Sequence, residues 1–323
     1  MQAADTFNRA VHISHVNYGP HNLEQVEVLE SLAETYLAAG EFDLAVDMQE
    51  RIFGLQARNV DPESLEILPA LRTQARWLNR LRLYDRERYT WRRIISILEE
   101  EHGRDDLSLI EPLTGLGQSY LYVGTPEVTY HQPTANTTGE IYLKRALRIA
   151  EEHPDASWET EMSTMLSLAD YYILTSKPGR AERVYSDVWA LLSEDEDRLP
   201  ARREKLQSLK VLQDVQPPRF YGIEDTGVVP ARRPEGFETG TVTYSYSVSE
   251  RGTPTNIQLV EANPAVLDDM ERAVGRELRR RMQRPQVVDG MTVQTDNLTY
   301  SHDFFYRDSD LPESTAATGN VPD

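Results

Sequence analysis

The stretch Leu29–Ala45, LESLAETYLAAGEFDLA, decides the fold of this 323-residue chain. Leu29, Leu32, Ala33 and Tyr36 fall at helical spacing on one face, Gly40 interrupts, and Phe42 and Ala45 open a second apolar face. The stretch therefore predicts two helices joined by a tight turn, with small Ala33 allowing close approach. The pattern recurs: Leu29, Leu71 and Leu113 are 42 residues apart, as are Ala33, Ala75 and Gly117, and Tyr36, Leu78 and Tyr120. Gly40, Arg82 and Gly124 mark the turns, and Gly19 and Gly103, two periods apart, precede equivalent first helices. A fourth unit follows once ten extra residues are allowed: Met165, Leu168, Ala169 and Tyr172 occupy the same slots, with Ala181, Tyr185 and Val188 on the partner helix. The Pro-, Thr- and Asn-rich segment 125–139 is the natural place for that insertion. No single helix of such a pair can bury its stripe, but stacked neighbours can.

These residues resemble the tetratricopeptide family, and in particular its 42-residue variant found in kinesin light chains. Residues 20–192 carry the likeness, and the second unit departs from the pattern at Gln74, Arg82 and Glu87. The resemblance implies a concave groove, lined by first helices, that holds peptides or partner surfaces. By slot, Glu30, Arg72, Arg76, Asn79 and Gln118 face it; the alternative is that these are ordinary solvated polar positions.

Beyond the acidic run Ser193–Arg198, a polar helix is expected over 199–213, followed by a Pro-rich linker, so that 193–239 joins two parts. The periodicity then changes from helical to alternating. Val242, Tyr244, Tyr246 and Val248 alternate with Thr and Ser, Glu250–Thr253 forms a turn, and Ile257 and Leu259 belong to a second strand. Asn263-Pro264 predicts a helix start. Leu267, Met270, Val274, Leu278 and Met282 give its stripe, Arg279–Arg281 its last turn, and Pro285 its end. After the Asp289-Gly290 turn, Thr295–Tyr306 alternates again as a last strand. The whole is an α+β multidomain chain: an N-terminal segment 1–19, a helical solenoid 20–192, a join 193–239, a three-stranded antiparallel sheet with one helix (β-β-α-β) at 240–307, and a disordered tail 308–323.

The C-terminal stretch resembles the C-terminal domain of the TonB energy transducers. The likeness rests on Gly240-Thr241-Val242, Val248–Gly252, Ala262-Asn263-Pro264, Arg284-Pro285 and Asp289-Gly290. Two positions depart: Val229-Pro230 stands where an aromatic-Pro pair is usual, and Arg replaces the usual aromatic near the helix end. The resemblance implies a Gram-negative periplasm and strand addition to a sheet edge, here the last strand with Thr295, Asn297, Thr299 and Ser301. Partners would be peptides of outer-membrane receptors or components of the inner-membrane motor. A homodimer through the same sheet is the alternative.

The formal charge of −19 argues against nucleic acid or anionic lipid as partners. About −13 of it falls in residues 1–218 and −2 in 219–307. No apolar run is long enough to span a bilayer, and Met1–Ala10 lacks the character of a signal peptide. Gln2 directly after Met1 suits a chain whose export signal or membrane anchor has been removed. Chemistry-bearing patterns are missing. The chain has no Cys, HExxH, GxSxG or GxxxxGK[ST]; His12 and His15 lack carboxylates at ligand spacing; Gly115 and Gly117 fit helix packing rather than a phosphate loop. The sequence thus predicts a non-enzymatic adaptor without metal or cofactor.

Overall fold

The computed structural model describes residues 2–58, 60–122, 138–222 and 235–311. The helical part consists of α1 (Gln2–Tyr18) followed by four antiparallel pairs: α2 (Gln25–Ala38) with α3 (Phe42–Ala57), α4 (Leu68–Arg80) with α5 (Tyr84–His102), α6 (Ile110–Ser119) with α7 (Thr138–Glu152), and α8 (Trp158–Leu174) with α9 (Pro178–Leu191). The repeated slots are the seams. Leu29, Leu71, Leu113 and Met165 are buried, and so are Ala33, Ala75, Gly117 and Ala169 beneath them. Most of the inserted segment 125–139 lies outside the described residues, between α6 and α7.

The described turns close alike; Gly124 lies outside the described residues. Gly40, Arg82 and Ser176 all adopt left-handed backbone (φ 77°, 60° and 58°). In each case the following amide donates to the carbonyl five residues earlier, as Glu41 to Tyr36, Leu83 to Leu78 and Lys177 to Tyr172 (2.8–2.9 Å). This is the Schellman closure of a helix C-terminus, and it is kept even where Arg replaces Gly.

Ala45, Glu87, Gly139 and Ala181 share the slot where the second helix comes closest to the first. A side chain on Gly139 would collide with the carbonyl of Gly117. Glu87 fits because its carboxylate folds back into the pair, accepting from Asn79 Nδ2 (3.2 Å) and from Trp91 Nε1 (3.1 Å). Burial raises the Glu87 carboxyl to about 7, against the lowering effect of the Trp91 and Asn79 bonds. Glu140 is the opposite case. Burial alone would raise it, yet Lys144, Lys177 and Tyr172 donate to it and hold it down at about 2; Arg180 also pairs with it at 2.9 Å.

The C-terminal part holds a three-stranded antiparallel sheet in the order β3-β2-β7, where β2 is Glu238–Val248, β3 Pro254–Asn263 and β7 Thr295–Tyr306. Helix α11 (Asp268–Leu278) covers one face, placing Leu267, Met270, Val274 and Leu278 against Val242, Tyr244, Tyr246, Val248 and Phe304. Two small pairings complete it: β1 (Lys210–Gln213) with β4 (Met282–Arg284), and the hairpin of β5 (Gln286–Val288) with β6 (Met291–Val293).

Three boundaries differ from the sequence expectation, and a tertiary pairing accounts for each. The helix following α9 is α10 (Leu199–Leu206), not 199–213, because Lys210–Gln213 is drawn into β1. Helix α11 starts at Asp268 rather than at Asn263-Pro264, because Asn263 still pairs with Thr241 in the sheet. It ends at Leu278, so Met282 lies in β4 against β1 rather than on the helix stripe. In the expected tail, Asp308–Asp310 form a 3-10 turn, and residues 312–323 lie outside the described residues.

The Glu87 environment has a measurable consequence. A carboxyl raised in the folded state favours folding while protonated, so its contribution is full below about pH 4.5 and is lost as pH rises through 7. Glu87→Gln is expected to stabilise the chain by roughly 1–3 kcal/mol at pH 8 and to change nothing near pH 4. Urea denaturation at the two pH values checks this.

Candidate functional site

The first helices of successive units share one face, tied along its length by ion pairs. Glu34 of α2 meets Arg80 of α4 through two bonds of 2.6 Å, and Arg72 of α4 meets Glu111 of α6 at 2.7 Å. Such half-exposed pairs are each worth little in stability, about 0.2–1 kcal/mol. Arg76 lies exposed, 3.9 Å from Glu111. Glu30 is half-buried on α2. Asn79 is exposed as well, and its amide also donates to Glu87 in its own helix pair.

The face ends in a cleft of about 500 Å³. Gln118 of α6 and Met162, Ser163, Leu166, Ser167 and Asp170 of α8 line it on one side, and Glu204, Lys205, Ser208, Leu209, Lys210 and Arg284 on the other. The second side exists because the C-terminal part is fastened to the last helix pair. Arg284, only 2% exposed, donates from Nε and Nη2 to the two oxygens of Asp170 (2.8 and 2.7 Å) and from Nη1 to the Lys205 carbonyl (2.7 Å). Tyr185 donates its hydroxyl to the same carboxylate at 2.8 Å. Burial pushes the Tyr185 phenol far above its ordinary range, with the Asp170 charge acting in the same direction, so it stays a donor.

Apolar packing follows the ion pair. Val287 of β5 and Leu206 of α10 are buried in one cluster with Tyr185, Val188 and Leu192. The hairpin turn at Gly252 lies so close to β4 that a side chain there would strike the Gln283 carbonyl. Helix α10 has the entry of a first helix. A 3-10 turn leads into it at 196–198, as one leads into α4 at 65–67 and into α6 at 107–109, and Pro follows in its first turn. It follows α9 as a short first helix would, and β4 and β5 beside it close the end of the array.

The sheet-edge positions fall on β7. Thr299 and Ser301 are exposed, and Ser301 Oγ lies 2.9 Å from Thr243 Oγ1 across the strand pair. Thr295 is half-buried, and Asn297 takes left-handed backbone (φ 58°) beside a bulge where the register with β2 shifts. Farther along, the outer edge of β7 is paired by the chain itself. Phe305 N donates to the Arg219 carbonyl (2.7 Å), Tyr221 N donates to the Phe305 carbonyl (2.8 Å), and His302 bonds to the Pro218 carbonyl (2.8 Å). Burial lowers the His302 pKa, against the raising effect of that bond. Among the described residues, Thr295–Ser301 has no strand on that side.

Sequence reasoning found neither the pairing of Asp170 with Arg284 nor that of Arg219–Tyr221 with β7. Asp170 and Arg284 are 114 residues apart, and only the register of the solenoid end brings them together. Among the described residues no three His, Asp or Glu side chains gather as a metal site, and no helix is long and apolar enough to cross a membrane.

No family model and no curated protein matches the chain. Among solved structures it is similar to TPR-like repeats of a putative kinesin light chain from Podosopora anserina, at 15% identity and TM-score 0.46, covering 60% of this chain and 86% of that one. It is also similar to BtubC (BKLC) from P. vanneervenii, at 16% identity and TM-score 0.40, covering 57% and 70%. The helix pairs, their 42-residue register and their turns make the N-terminal part a tetratricopeptide-like solenoid.

Because Arg284 is buried, removing its partner strands a charge. Asp170→Ala or Arg284→Met is expected to destabilise the chain by about 3–5 kcal/mol, and the double variant by less than the sum of the two. A double-mutant cycle by chemical denaturation checks this.

Proposed function

We propose that the chain is a non-enzymatic protein–protein adaptor of the bacterial envelope, an energy transducer or accessory of TonB-dependent outer-membrane transport. One partner lies along the shared face of the first helices. A second adds an extended segment to β7. The observation that supports the second part is the Arg219–Tyr221 pairing: extended backbone already docks on the outer edge of β7, and Thr295–Ser301 continues that edge. The periplasmic setting comes from the resemblance of residues 217–307 to TonB C-terminal domains, and a protein held there is either anchored in the inner membrane or exported.

Peptides from the periplasmic ends of outer-membrane receptors should bind the full chain and shift the amide resonances of Thr295–Ser301 while leaving those of α2–α5 in place. Titration calorimetry without heat up to millimolar peptide, or shifts confined to the helices, would overturn strand addition. A second reading uses the same open edge for self-pairing. A stable dimer by light scattering, with no binding of receptor peptides, would favour a structural assembly scaffold.

A further inference from the structure

Helix α1 has a place in the repeat. Gly19 and Gly103 follow α1 and α5 with the same left-handed backbone (φ 86° and 88°), two periods apart. The same register puts Ala10 in the slot of Ile52 and Ile94, and Ile13 in the slot of Leu55 and Ile97. α1 is therefore a second helix. Its side toward α2 is packed accordingly: Val11 is buried with Leu29 and Ile52, and Asn8 donates to the Tyr36 hydroxyl at 3.1 Å.

The other side is bare. Ile13 is 50% exposed, whereas Leu55 is 7% and Ile97 1% exposed in the same slot. Val16, at 71%, and Tyr18 and Leu23, also exposed, extend the apolar surface. Four times in this molecule a second helix is paired with the first helix of its own unit; among the described residues α1 has α2 against it but no such partner on its other side.

Charge shows what kind of helix fits. Along the first-helix seam, Arg72 of α4 reaches Glu111 of α6. Glu27 of α2 stands in the slot of Glu111, two periods earlier, and is exposed. A first helix seated beside α1 would continue that established seam and would meet Glu27 with the residue in the Arg72 slot. We propose that α1 and α2 together dock an amphipathic helix of another protein, with an apolar stripe against Ile13 and Ala10 and an arginine or lysine against Glu27. This surface is independent of the β7 edge.

The test uses the full chain and a labelled peptide of residues 64–83, which carries α4 with Arg72 and Arg76. Fluorescence anisotropy should show saturable binding. Ile13→Asp should weaken it at least about tenfold, and Glu27→Gln should weaken it and flatten its dependence on salt. Because Ile13 is exposed, Ile13→Asp should leave the thermal unfolding curve in place. Binding that does not saturate, or that is unchanged by Ile13→Asp, would overturn the proposal. Light scattering adds a further outcome: a dimer formed without peptide and dissolved by Ile13→Asp would give this face to a second copy of the chain and would equally overturn it.

Discussion

A guanidinium as thoroughly buried as that of Arg284 needs a carboxylate, and Asp170 on α8 supplies both oxygens. Much of the C-terminal architecture depends on that requirement. To bring Arg284 against α8, residues 282–284 leave the helical register of α11 and pair with Lys210–Gln213. The same pairing cuts α10 to eight residues. With β4 fixed, β5 covers Val188 and Leu192, and the solenoid ends against a sheet instead of a fifth helix pair. Replacing the ion pair by apolar groups of similar shape could leave stability unchanged, since desolvation offsets much of the Coulomb attraction. What the pair adds is a penalty on any seating of the sheet that would leave Arg284 buried without Asp170.

The parts of the fold legible in the sequence are those set by local spacing. Leu29, Leu71 and Leu113 announce the helix pairs because each unit repeats the same close approach within 42 residues. The alternation from Val242 to Val248 announces β2 because side chains on a strand point to opposite faces. What escaped reading was non-local. Asn263-Pro264 has the local form of a helix start, yet the ladder bond to Thr241 keeps Asn263 in the strand. Glu87 stands in an alanine position, and the side chains that satisfy its buried carboxylate, Asn79 and Trp91, are set by the folded pair rather than by the repeat pattern. Gly19 held the clue that α1 is a second helix, which only the comparison of Ile13 with Ile97 makes plain.

Two surfaces of different character therefore belong to one body. The first-helix face is laced with ion pairs. The β7 edge offers backbone and hydroxyls, and the cleft between Ser167 and Lys205 is where the two parts meet. The two surfaces are joined through the Asp170–Arg284 ion pair. In that respect the sheet behaves as the last element of the solenoid.

Native-state hydrogen exchange tests this most directly. If the sheet and the end of the solenoid are one cooperative unit, the slowest amides of α8, α9, β2 and β7 will open with a common free energy and a common denaturant dependence. Opening of β2 and β7 at a distinctly lower free energy, with α8 and α9 still protected, would contradict it.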